Sequence, residues 1–411
     1  MRILIIFSVL LGYGIAAAEE SRLLGAATCA SSNCHGSVNP RSATNVLQNE
    51  YVTWQKEDAH SRAYQTLLSE DSKTIARHLG IPEAHRSKEC LSCHTTATSG
   101  YSHGEKFRVE DGVSCEACHG AGENWLKSHV EKGATHWDNV TNGLTDLSTA
   151  GKQATLCLSC HYGDSERAVT HRLIGAGHPR LTFELDTFTA IMPRHWLIDE
   201  DYRKRKGDYR PFEGWLTSQL LRSKRILSHL KSPTIREFFP EFSLYNCSSC
   251  HHSLKSEEWK TRDYQGRPGE VALNLGSLRM VAVVLEPVDS GRAKRLLTAL
   301  RELERAANKG GITEAASLVE KLLDGLEFSS PQVFPSQLKA LINFGANADY
   351  LYYEDAEQIA MGISAALADD IGDKGLIEPK LKLVYETLKD SRDFTFADFK
   401  KRMGELKERA K

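Results

Sequence analysis

Ten cysteines fall into five pairs, and a histidine follows the second cysteine of every pair. The pairs are Cys29-Ala-Ser-Ser-Asn-Cys34-His35, Cys90-Leu-Ser-Cys93-His94, Cys115-Glu-Ala-Cys118-His119, Cys157-Leu-Ser-Cys160-His161 and Cys247-Ser-Ser-Cys250-His251. With 16 histidines in 411 residues, five such neighbours arise by chance on the order of once in ten million. Two thiols about one helical turn apart can add across the two vinyl groups of a haem. The adjacent imidazole then reaches the iron from the same side. The first pair has four intervening residues, so Ala30 to Asn33 must bulge to keep both sulfurs within reach. Local disulfides or thioredoxin-like sites do not need the trailing histidine. Zinc ribbons need cysteines in fours, and five half-sites do not divide that way. The spacing predicts five covalently attached haem c groups, with His35, His94, His119, His161 and His251 as proximal iron ligands.

All the histidines lie between His35 and His252, and none occurs in the last 159 residues. The chain therefore divides into a haem-binding part, residues 19–260, and a haem-free part, residues 270–411. With about 45 residues per haem in the first part, the cofactors themselves must form the core, with short helices and loops around them. Helices are expected from about Glu50 to Leu68 and from about Trp215 to Leu230. Residues 254–272, with Gly266, Pro268 and Gly269, read as a connection. Beyond it the leucine spacing is helical, through Leu296, Leu300 and Leu303 and then Leu318, Leu322 and Leu326. Thr313 is expected to cap the second of these helices. Further helices are expected at about 336–370, at 377–390 and from about Thr395. The fold class expected is mainly α: an irregular multihaem c-type cytochrome with a haem-filled core, plus a C-terminal helical bundle.

Residues 1–18 combine Arg2, an uncharged apolar run and Ala16-Ala17-Ala18, the pattern of a cleaved export signal. The expected destination is the periplasm or the exterior, without a transmembrane span in the mature form. The formal charge is −2, which argues against a nucleic-acid binder. Ten haem propionates would make the loaded protein more acidic.

The order of the first motif, Trp54 with Ala59-His60, the second motif, Gly112-Val113-Ser114-Cys115 through Gly120, His129 and the fourth motif resembles the cytochrome c-554 family of multihaem electron carriers. This covers about a third of the chain. The resemblance implies that His129 ligates the first haem opposite His35, and that His60 ligates the third opposite His119. The tetrahaem members lack the motif at Cys247 and the long C-terminal part, and their second haem is open. Here His78, His85 and His103 lie near His94 in sequence, so an open second site does not carry over.

For the fourth haem, His178 is the favoured distal partner, with His171 next. For the fifth, His195 in Met192-Pro193-Arg194-His195-Trp196 is favoured over His229. Electron transfer to and from redox protein partners is the leading function. A reductase or oxidase of nitrogen or sulfur oxides at an open second haem is the rival, with Tyr101, His103 and Arg108 nearest to it. A third reading is a subunit of a haem filament, with a distal histidine supplied by a neighbouring molecule; an oligomer is compatible with all three. The basic residues Arg203 to Lys206, with Arg222, Lys224 and Arg225, could steer an acidic partner.

Overall fold

The structure, a computed structural model, describes residues 21–41, 46–96, 99–164, 167–232, 241–251 and 270–410. The export signal, most of the 254–272 connection and His252 lie outside the described residues. Those described are mainly helical, and the one sheet pairs Arg22–Leu23 in parallel with Ser102–His103. Among them no helix is long and apolar enough to cross a membrane.

The N-terminal half is built from short pieces. The single helix expected over 50–68 is three segments instead: the helix Glu50–Glu57, the 3-10 turn Ala59–Arg62 and the helix Ala63–Thr66. Asp58 is the reason. Its backbone is extended, with φ −76° and ψ 128°, and its carboxylate accepts the His60 amide, capping the turn and ending the first helix. Buried apolar side chains here form small separate clusters, such as Leu23 with Phe107 and Ala121, and Leu67 with Ala76 and Ala84. None of these is a core by itself. They are walls.

From Pro211 onward the packing is of the ordinary kind. The helix Pro211–Lys231 opens with proline at its first turn, where a missing N–H costs nothing. It buries side chains on nearly every face, including Phe212, Trp215, Leu216 and Leu227. One side packs on Ala150–His161; the other packs on Gly276–Leu285, Ile312–Leu323 and Tyr353–Ala368. The expected 215–230 helix is therefore present, and its apolar face continues into the C-terminal core. One cluster of buried apolar residues runs from Phe212 to Leu406. Trp215 lies parallel to Phe212 at 5.8 Å between ring centres. A Cβ at Gly362 would come within 2.7 Å of the indole, so the two helices approach this closely only because that residue is glycine.

The C-terminal helices are Gly276–Leu285, Ser290–Lys309, Ile312–Leu323, Phe334–Asn347, Tyr353–Ala368, Lys374–Glu386 and Phe396–Arg409. Two details differ from expectation. Gly311, not Thr313, precedes the third of these helices, and Thr313 lies inside it. The 336–370 stretch is two helices, because the chain turns extended at Ala348 before Tyr352 and Asp355 cap the next one. Thr395 caps the last helix, as its sequence suggests. Arg279, whose side chain is 18% exposed, is held between Asp355, at 2.8 and 3.0 Å, and Glu304 at 2.7 Å. Both carboxylates answer the part-buried guanidinium, which would otherwise be strongly destabilising.

Candidate functional site: a cavity of facing imidazoles

The walls of the N-terminal half enclose a cavity of about 2610 Å³, several times the roughly 300–1,000 Å³ of an ordinary ligand pocket. Cysteines and histidines of the first four motifs line it, together with His60, His129, His178 and His195. Across it the imidazoles face one another in twos. Ring centres are 6.3 Å apart for His35 and His129, 6.4 Å for His94 and His178, and 6.3 Å for His119 and His195. They are 6.0 Å apart for His60 and His161 and, outside this cavity, 6.1 Å for His171 and His251. Each motif histidine thus has one facing partner.

Two imidazoles that share one iron, each with a metal–nitrogen bond of about 2.0 Å, hold their ring centres roughly 6.3 Å apart. All five separations match that figure. Among the described residues no three or more histidines, cysteines or acids converge as a bare metal centre would require. The donor set, two thiols beside one of two opposed imidazoles, fits a covalently held haem at each motif.

The hydrogen bonds set the tautomers. His35 Nδ1 lies 2.9 Å from Glu50 Oε2 and His60 Nδ1 lies 2.9 Å from Asp58 Oδ1. The Nδ1 atoms of His94, His129 and His178 lie 2.9, 2.6 and 2.8 Å from the carbonyl oxygens of Ala63, Leu126 and Pro179. A carbonyl or an ionised carboxylate can only accept, so each Nδ1 donates and each Nε2 keeps its lone pair free for a metal. Both acids are ionised. Burial works against the Asp58 and Glu50 charges, but the bonds from His60 and His35 outweigh it and hold both carboxyls below their usual range. Burial pushes the Cys118 thiol up to about 12 and the Cys157 thiol up to about 11, whereas the contact with Cys93 and the nearby Arg167 bring Cys160 down to about 6. For Cys118 and Cys157 that is opposite to the depressed values of nucleophilic cysteines.

Long-range contacts place the motifs. Buried Glu116, inside the third motif, accepts the backbone amides of Leu24, Gly25 and Gly122 at 2.8, 2.7 and 2.7 Å. This holds the strand leading into the first motif beside the third and brings the free thiols of Cys29 and Cys115 within hydrogen-bonding reach of each other. Cys93 and Cys160 make the same contact between the second and fourth motifs. Trp54 Nε1 donates to Val113 O at 3.0 Å, and the Val113 amide donates to His60 O at 3.0 Å. A Cβ at Gly112, where φ is +67°, would sit 2.7 Å from His60 O. The segment carrying His60 is therefore pinned against the backbone entering the third motif, and its ring faces that of the fourth motif's His161.

Three expected pairings are corrected by this geometry. His60 faces His161, not His119. His178 faces His94, not His161, because the short helix His171–Ala176 is tied to Glu70–Leu79 by a bond from His78 Nδ1 to Ala176 O at 3.0 Å. His195 faces His119, not His251. The fifth pair uses His171, whose ring lies opposite His251. The expected facing of His129 and His35 is what the structure has. His229 is buried on the long helix and stacks on Tyr162. His85 packs on Tyr64 and His103 on Phe107, so neither ring faces His94. Arg108 bonds to its neighbours' carbonyls, while exposed Tyr101 lines the cavity. Of the basic stretch, Arg203 pairs with Asp208 and Lys204 with Glu200, and Arg222 is buried over Tyr162.

Sequence reasoning overlooked Glu50, Asp58 and Glu116. A carboxylate two residues before His60 and one inside a Cys-x-x-Cys loop were the available signals. Comparison with known proteins matches residues 28–120 to the family of cytochrome c554 and c-prime. The curated cytochrome c-554 of Nitrosomonas europaea is 27% identical over 116 residues, or 26% of this chain and 49% of that relative. The chain thus spans about half the length of the relative it matches. No solved structure matches the chain. The likeness to the family of cytochrome c554 and c-prime thus covers the segment that holds the first three motifs.

Proposed function

We propose that this protein is a multihaem c-type cytochrome that carries electrons along five covalently bound haems. The observation that carries the reading is the set of five facing imidazole pairs, one at every Cys-His motif and all within one chain. The ten cysteines would hold the haems. His35 with His129, His94 with His178, His119 with His195, His161 with His60, and His251 with His171 would bind the irons.

A haem iron supplies one-electron chemistry, and with an imidazole on both faces it has no position left for a substrate. The residues do the rest. Glu116 brings the first motif against the third, the Cys93–Cys160 contact brings the second against the fourth, and the helix His171–Ala176 links the fifth to the second through His171 and His178. The chain thus sets haem sites close enough for electrons to pass between neighbours. The reading divides the mature chain into a haem part up to about residue 260 and a helical part from about 270, and takes the protein to the periplasm or the exterior after export. Its partners would be redox proteins. His178 opposite His94 argues against an open second haem, and five intramolecular pairs argue against a distal ligand borrowed from a neighbour.

A coulometric titration of the purified protein tests this. Five electrons per chain are expected, with no sustained consumption of nitrite, hydroxylamine or nitric oxide. Uptake of fewer electrons, or steady turnover of any of these, overturns the reading.

A further inference from the structure

We infer that Glu50 and Asp58 are positioning residues that give the first and fourth haem sites lower reduction potentials than the second. The inference rests on the haem reading above and goes beyond it, to the order in which the irons hold electrons.

The sites inside the cavity differ in what their imidazoles lean on. At the first, His35 Nδ1 donates to the Glu50 carboxylate, which also accepts the Gln48 amide at 3.1 Å and is thereby fixed in place. At the fourth, His60 Nδ1 donates to Asp58, a 6% exposed carboxylate whose same oxygen also accepts the His60 amide at 2.9 Å. At the second, both partners of the pair donate to backbone carbonyls, those of Ala63 and Pro179. At the third, buried His195 Nδ1 has no acceptor among the described residues.

A carboxylate brings a full negative charge to the Nδ1 proton, where a carbonyl brings only part of one. Sharing that proton makes Nε2 a stronger donor, and a more basic ligand stabilises ferric over ferrous iron. The graded supports therefore place the first and fourth sites below the second inside the cavity.

The test is spectroelectrochemical titration of the full-length holoprotein and of Glu50→Gln and Asp58→Asn, each of which keeps an acceptor oxygen but loses the charge. Ferric stabilisation at one iron should fall about tenfold in each variant, a rise of about 59 mV for a one-electron couple. The double variant should move two irons. Asp146→Asn serves as the control, because Asp146 holds His136, which faces no other imidazole among the described residues, and its titration curve should stay as in the wild type. Variants that keep five low-spin haems and an unchanged curve overturn this inference and leave the haem reading standing. A wild-type protein with fewer than five haems breaks the haem reading itself.

Discussion

Replacing His178 with alanine is expected to turn one low-spin iron in five high-spin and to let the reduced protein take up one carbon monoxide per chain, where the wild type takes up none. The argument is positional. His178 follows Gly177, whose φ of +121° turns the chain sharply after the helix His171–Ala176. Its ring sits 6.4 Å from that of His94. No other histidine ring faces His94 among the described residues; His78 is engaged with Ala176 O and His85 with Tyr64. The side chain's hydrogen bond is to the neighbouring Pro179 carbonyl, so alanine removes a ligand and little else. Visible absorption with and without carbon monoxide reads the result. An unchanged low-spin spectrum would show that another residue closes this iron.

The second large effect concerns cysteine pairs. Cys115→Ala with Cys118→Ala should prevent recovery of a folded haem domain, whereas Cys247→Ala with Cys250→Ala should yield a soluble protein with four haems. The third motif lies in the middle of the shared cavity, with Cys115 against Cys29 and Cys118 next to Cys157 and Cys160. A quarter of the 2610 Å³ cavity, left unfilled at about 24 cal/mol per Å³, would cost on the order of 16 kcal/mol. That exceeds the roughly 5–15 kcal/mol that stabilises a whole domain. The fifth motif does not line this cavity, and both its cysteines are exposed. Haem content by mass spectrometry and thermal unfolding distinguish the two variants. Equal outcomes for both would contradict the placement of the third motif at the centre.

What the sequence could and could not say follows from the range of the interactions. Attachment is local: two thiols and an imidazole within one short segment, legible at a glance. The facing pairs are not local. The segment carrying His60 is held against Gly112 and Val113, just before the third motif. The family resemblance assigns His60 to the third haem, yet its ring faces His161 of the fourth motif. His178 and His171 are seven positions apart on either side of one short helix, and they serve two different sites. No periodicity shows that. The C-terminal bundle was legible because leucine spacing and helical burial are the same signal, apart from Thr313, a good capping residue placed two positions past the Gly311 cap. The merging of the long helix Pro211–Lys231 into that bundle depends on Gly362 admitting Trp215, a contact 147 residues apart in sequence.

The central claim is that all five irons are closed by imidazoles from this one chain. Electron paramagnetic resonance of the fully oxidised protein, integrated per haem, tests it most directly. The ring planes add detail, since facing imidazoles that are nearly parallel and nearly perpendicular give different low-spin signals. His35 with His129 and His171 with His251 lie at 15° and 26°. The other three pairs lie at 77°, 89° and 90°. The account predicts five low-spin irons, two of the rhombic type and three of the strongly anisotropic type. A high-spin component amounting to one iron in the untreated protein would contradict it.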